Sequence, residues 1–305
     1  MGGTATREQQ TTYTAIPMAG LVGADAVPFP LYLRTASKTW VLYRPADTVL
    51  DESHIGRLHA EGVPHLFIQD EHRAHYFQRV EREIDAVLLD KELPLDNRAD
   101  VLQGVAMMVA DELLRAQPDE RTVRRAHKVM MATSGLMLRE SQGFHALRRV
   151  LQAGPGLARH SLTVAFMSMG LARVVLTRDP ATLATIGLAG LLHDVGKVGH
   201  EDLEHDPEHT TRGADYLRSL NLPAMAVDAA LFHHECHDGS GFPRGLRHEE
   251  IPEGARIVGL VNLFDKIYSA QEPRVGVFDA LRILAQAYRG CFDERMAQGL
   301  VKLFR

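Results

Sequence analysis

The sequence predicts a mainly α protein: an all-helical bundle preceded by a small α+β N-terminal module. From about residue 70 onward, apolar residues recur at three- and four-residue spacing, as in YFQRVEREIDAVLL, DVLQGVAMMVADELL and TVRRAHKVMMATSGLML, the period of helices that bury one face. Before that point the texture is short and strand-like, with aromatic and branched residues concentrated in PFPLYLRT (28–35), KTWVLYRP (38–45) and VPHLFIQ (63–69). The length of 305 residues is about twice that of a typical domain, which favours two units.

Taken in order, residues 1–14 are polar and read as a disordered leader. The stretches 28–35 and 38–45 flank a short Ala-Ser link, as the arms of a hairpin would. Asp51 and Glu52 precede IGRLHAEG, a helix start, and Gly62 is its stop. A third strand at 63–69 completes a module assigned to 15–92. It contains no clustered nucleophile, glycine-rich phosphate loop or metal-ligand spacing, so its expected role is regulation, interaction or scaffolding. Residues 93–117 form a helical connector, which Pro118 interrupts, and the functional helical domain runs over 118–305. Within it, QAGPGL (152–157) breaks the series just before His160. Helices are expected over 157–178, 180–195, 209–220, 223–235, 251–269, 276–289 and 293–303.

Composition excludes several classes. A net charge of −5 offers no general basic field, so a nucleic-acid polymer is not the expected partner. The start of the chain has no apolar secretory core and no run approaches a membrane span, so a cytoplasmic protein without a membrane partner is expected. Two cysteines, Cys236 and Cys291, cannot build a disulfide framework; they read as packing residues in a reducing compartment. The methionines read as core filler.

The chemistry is concentrated late in the chain. Nine of the 16 histidines fall between His160 and His248. Singly, each is more often structural or solvated than ligating. Two dyads are different: His193-Asp194 follows the apolar run LAGLL, and His233-His234 follows AVDAALF. Neighbouring residues at a helix end diverge by about 100°, so one dyad can serve two metals or two walls of a cavity. Imidazoles buried without partners are costly, and metal ions are a common solution.

The stretches GLLHDVGKVG, HTTRGADYL, HHECHDGSGFPRGL and EEIPEGARIVGLVNLFDKI closely resemble the HD-GYP subgroup of the HD superfamily. The resemblance runs in order from about His160 to the C-terminus, and it implies an HD-type helical bundle whose activity is hydrolysis of the bacterial second messenger cyclic di-GMP. It implies two divalent metal ions, iron or manganese, held by His160, His193, Asp194, His209, His233 and His234, with Asp194 bridging the two and a water activated between them. Asn262 falls where the family has a ligating aspartate, and Asp265 matches the second acid of that helix. Asp194 and Lys197 are the expected catalytic residues, Lys197 as a charge clamp on phosphate or leaving oxygen; without the motif it reads as a solvated helix-end lysine. Lys197, Gly241, Phe242, Pro243 and Arg274 are expected to contact substrate, with Gly239 in the same tight loop.

Four departures bear on activity. Phe242 replaces the tyrosine of the GYP signature, keeping a ring for stacking but losing a hydroxyl. Gly156 stands where trinuclear members place a glutamate, so no more than two metals are expected. Asn262 is neutral, and Gln271 stands where the family often has a phosphate-binding arginine. The alternative expectation is a weak or inactive member that acts as a cyclic di-GMP receptor or binds a partner such as a diguanylate cyclase domain.

Overall fold

A computed structural model of the chain describes residues 12–21, 26–35, 37–63, 65–91, 93–148, 156–200, 206–269 and 276–304. The chain divides into two compact units, Met1–Val105 and Ala106–Arg305.

The first unit holds β1 (Tyr13–Pro17), β2 (Leu31–Arg34), β3 (Trp40–Arg44), α1 (Glu52–Ala60), β4 (His65–Gln69), α2 (Arg73–Leu89) and the first half of α3 (Leu95–Arg115). Its four strands form an antiparallel sheet in the order β1-β4-β2-β3. Alternation decides the two faces: Ile16, Leu31, Leu66 and Ile68 are buried, while Tyr13 stacks on Trp40 at 4.4 Å and Trp40 meets Phe67 edge-on on the other side. The three strands and the helix expected from the sequence are present, and Asp51 Oδ1 accepts from the His54 N–H at the start of α1. Strand β1 is the addition. It takes in Tyr13 and Thr14, which the sequence reading leaves in the leader, because YTAIP is too short and too mixed to announce a strand before β4 pairs with it.

The second unit continues α3 and adds α4 (Glu120–Arg139), α5 (Gly143–Leu147), α6 (Leu157–Val175), α7 (Pro180–Leu192), α8 (His209–Ser219), α9 (Ala224–Phe232), α10 (Glu253–Ser269), α11 (Val277–Ala287) and α12 (Glu294–Lys302). Asp119 caps α4 by accepting from Thr122 N–H at 2.8 Å, and Asp179 caps α7 in the same way, ahead of Pro180. The core is built on α7. Every residue from Ile186 to Leu192 is buried, so this helix has no polar face, and α4, α6 and α9 pack around it. Helices α7 and α9 end at Leu192 and Phe232, three residues before the sequence-predicted ends, because the chain turns there and leaves each dyad at the mouth of a buried helix. Among the described residues no helix is long and apolar enough to cross a membrane.

The reading of the cysteines needs correction. Cys236 and Cys291 form a disulfide across 55 residues of chain. Two cysteines are too few for a framework, but composition cannot reveal that the loop after α9 and the loop before α12 run side by side, where the His237 N–H also donates to the Cys291 carbonyl at 2.8 Å. A bridge closing a loop of that length stabilises by about 4 kcal/mol in the chain-entropy account. Thiol titration of the purified, unfolded chain is therefore expected to find free cysteines only after reduction, and Cys291→Ser is expected to lower the melting temperature by several degrees. Full thiol reactivity before reduction would contradict the bridge.

Candidate metal centre

The site is organised by one carboxylate. Asp194 leaves the end of α7 with its side chain 1% exposed, and its two oxygens face different partners. Oδ2 lies 3.4 Å from His193 Nε2 and 3.8 Å from His160 Nε2, and it accepts from Lys197 Nζ at 2.6 Å. Oδ1 lies 3.2 Å from His209 Nε2 and 3.5 Å from His233 Nε2. The ligand atoms fall into two groups, His160-His193-Asp194 and Asp194-His209-His233-His234, each close enough to hold one ion, and Asp194 belongs to both.

Local sequence explains how the groups meet. Gly196 follows the dyad in a 3-10 turn (Val195–Lys197), and a Cβ there would stand 2.0 Å from the His209 carbonyl. Only glycine lets this turn lie against the first turn of α8, which sets His209 beside Asp194. Arg212 of α8 secures the contact by donating twice to the Gly196 carbonyl, at 3.1 and 2.8 Å, and by pairing with Asp206.

The ring orientations are set from behind. His193 Nδ1 donates to the Gly190 carbonyl at 2.7 Å, His233 Nδ1 to the Ala229 carbonyl at 2.9 Å, and His209 Nδ1 to the Asp206 carbonyl. His160 Nδ1 donates to Asp265 Oδ2 at 2.6 Å. A carbonyl can only accept, so the proton sits on Nδ1 and the Nε2 lone pair points at Asp194. Burial lowers the pKa of His193, takes His233 to about 3, and lowers His234 further, with the neighbouring His233 adding to the effect. Burial alone would raise Asp194, but the surrounding imidazoles, led by His193, hold it well below the usual carboxylate range.

The residues present fit a cation. His160 Nε2, His193 Nε2, Asp194 Oδ1 and Asn262 Oδ1 are buried with no hydrogen-bond partner, a cost that a bound ion would remove. A set of imidazoles with one shared carboxylate suits first-row divalent metals. Asn262 lies on α10 at 2% exposure, one turn before Asp265. Asp265 is engaged elsewhere: besides His160, it receives Arg159 Nη1 at 3.3 Å and Nη2 at 3.1 Å. It thus orients a ligand and is not a stand-in for Asn262. Gly156 caps α6 and contributes no side chain, in keeping with the expectation of no further acid there.

A cleft of about 390 Å³ opens on the second group, lined by Lys197, Asp206, Pro207, His209, His234, Phe242 and Lys266. Phe242 is 37% exposed and stacks on His234 at 4.6 Å and 15°. Pro243 follows on the exposed part of the loop. Gly241 has a different reason from the one expected: a Cβ there would meet Cys236 N at 2.3 Å and His234 O at 2.4 Å, so its closeness is to backbone. Arg274 and Gln271 lie outside the described residues. Sequence reasoning missed Glu235, whose buried carboxylate accepts from the Arg244 N–H at 2.7 Å and the Leu246 N–H at 2.9 Å and so shapes the Phe242 loop. It also missed Arg159 and Lys266. The only signal available was position: Glu235 follows the dyad, Arg159 precedes His160, and Lys266 follows Asp265.

Residues 155–296 match the model of the HD domain family. A Pseudomonas aeruginosa protein named cyclic di-GMP phosphodiesterase PA4108 is 32% identical over 185 residues, 55% of this chain and 44% of that protein. A Vibrio cholerae protein named cyclic di-GMP phosphodiesterase is 30% identical over 249 residues, 72% of this chain and 49% of that protein. The chain thus spans about half the length of these curated relatives. In fold it is similar to Bd1817, described as an HDG"Y"P protein from Bdellovibrio bacteriovorus, at a TM-score of 0.69 and 20% identity, covering 96% of this chain and 99% of that one. The helical region that carries the His/Asp cluster thus matches the HD domain model over residues 155–296 and is similar to relatives named cyclic di-GMP phosphodiesterases.

Proposed function

We propose that this chain is a metal-dependent phosphodiesterase that opens cyclic di-GMP to the linear dinucleotide by adding water across one phosphodiester bond. The observation that carries the reading is the sharing of Asp194 between two ligand groups through opposite oxygens. The names of the relatives support the substrate class.

In this reading His160 and His193 serve one ion, and His209, His233 and His234 the other, with Asp194 common to both and Asn262 adding a neutral oxygen. Two divalent ions, iron or manganese, would supply a water of lowered pKa and neutralise the phosphate under attack. The rest belongs to the chain. The lowered pKa values of His193, His233 and His234 keep those ligands free of competing protons. Lys197, within reach of the cleft and of Asp194, meets charge that builds on the phosphate or on the departing 3′-oxygen, which takes a proton as the P–O bond breaks. Phe242 offers an exposed ring face to a guanine.

A second reading has its own support. A neutral Asn262 in a position of 2% exposure leaves Asp194 as the one carboxylate in either ligand group, which favours a receptor that binds the nucleotide and turns it over weakly.

Elemental analysis is expected to find two metal equivalents per chain. His160→Ala and His234→Ala are expected to lose about one each, and Asp194→Ala both, with helix content retained by circular dichroism. Equal loss in all three variants would rule out two groups sharing one carboxylate.

Metal-loaded chain under anaerobic conditions is expected to convert cyclic di-GMP to the linear dinucleotide, read by chromatography. Asn262→Asp is expected to raise metal affinity and rate, on the order of tenfold for a change of this kind around a metal. Tight nucleotide binding with no product from either protein would establish the receptor reading, and neither binding nor product would remove both.

A further inference from the structure

The cleft holds a cation that the chemistry described so far does not use. Lys266 extends from α10 into the same space as Lys197, facing the wall made by Phe242 and His234. The other charged groups around it are matched. Lys197 Nζ sits on Asp194 Oδ2 at 2.6 Å, Asp206 is paired with Arg212, and Asp265 is held by Arg159 at 3.1 Å. Lys266 has no hydrogen bond or ion pair among the described residues. Its side chain is exposed at the cleft; desolvation lowers its pKa, Asp194 opposes this, and Lys197 adds to it by less than Asp194 opposes. An ammonium without a partner at the wall of a cleft is free to make a charge-assisted hydrogen bond to an anionic group that enters it.

The ordinary explanation of Lys266 is a solvated lysine in the last turn of α10, where a positive charge suits the helix end. That accounts for its charge but not for its place as a wall of this cleft, next to a residue that orients a ligand of the centre. A cyclic dinucleotide carries two phosphates. When one is cut at Asp194, the other must be held without being cut, by a group that supplies positive charge and no metal ligand.

We infer that Lys266 recognises this second, uncut phosphate and so selects substrates that carry two. The inference rests on the phosphodiesterase reading above, and the test separates the two.

Calorimetric titration of metal-loaded chain with cyclic di-GMP is expected to show about tenfold weaker binding for Lys266→Gln, the size of one lost charge-assisted hydrogen bond. Lys266→Arg is expected to bind within twofold of the unaltered chain, and metal content and melting temperature are expected to stay the same in both variants. Where turnover is present, KM for cyclic di-GMP rises about tenfold while kcat does not fall. The rate on bis(p-nitrophenyl) phosphate, which has a single phosphate, does not change. Affinity for cyclic di-GMP within twofold of normal in Lys266→Gln overturns the inference and leaves the phosphodiesterase reading intact; an equal loss on both substrates also overturns it, since Lys266 would then serve the phosphate being cut. Absence of any cyclic di-GMP binding by the unaltered chain overturns both.

Discussion

The second unit is built around the burial of a single carboxylate. Asp194 is almost fully enclosed, and a carboxylate in that position is tolerated only if its charge is matched and both oxygens are engaged. The surrounding structure matches the charge through Lys197 on Oδ2 and leaves Oδ1 without a hydrogen-bond partner, the place a bound cation would fill. Helix α7 is apolar on every side, so it can run through the core and end at the dyad. Helices α6, α8 and α9 each bring an imidazole nitrogen to within 3.8 Å of one of the two oxygens. Lys197 supplies the one direct positive charge.

Each imidazole is in turn oriented by what lies behind it. Three rings are held by backbone carbonyls one turn earlier, a local solution available to any histidine at a helix end or first turn. His160, in the first turn of α6, is held differently: the Gly156 carbonyl one turn earlier takes its backbone N–H. Its Nδ1 goes to Asp265 on α10, and Asp265 is itself clamped by Arg159. This division of labour explains why α10 carries an asparagine and an aspartate one turn apart. Asp265 is already fully used as an acceptor, so moving it to replace Asn262 would release both His160 and Arg159. In the metal-dependent reading proposed above, the neutral Asn262 weakens the site and its neighbour does not repair it.

The helical period, the strands β2 to β4 and the two dyads were legible in the sequence because each is a local pattern: apolar spacing, branched runs between turn residues, or polar pairs after an apolar helix. The family motifs added His160 and His209, which no local pattern singles out. What stayed hidden depends on contacts between distant segments. Strand β1 exists only in register with β4, 54 residues away at the Thr14–Ile68 pair and 56 at the Tyr13–Gln69 pair. The Cys236–Cys291 bridge, the Arg159–Asp265 clamp and the fold of Glu235 onto its own loop are all of this kind. Gly241 was legible as a tight spot, but not that the crowding atom is the His234 carbonyl.

The charge balance of the cleft follows from these same contacts. Asp206 and Asp265 are neutralised by arginines that belong to the scaffold, so they contribute little field to the space above the centre. One carboxylate, Asp194, then stands against Lys197 and Lys266. The cleft is already positive before any cation joins it, and divalent ions would make it more so. A neutral ester gains little from such a field, whereas each phosphate on a ligand is drawn in. In the phosphodiesterase reading proposed above, this charge balance is what would draw a polyanionic diester in preference to a neutral one, independently of the ring stacking that Phe242 offers.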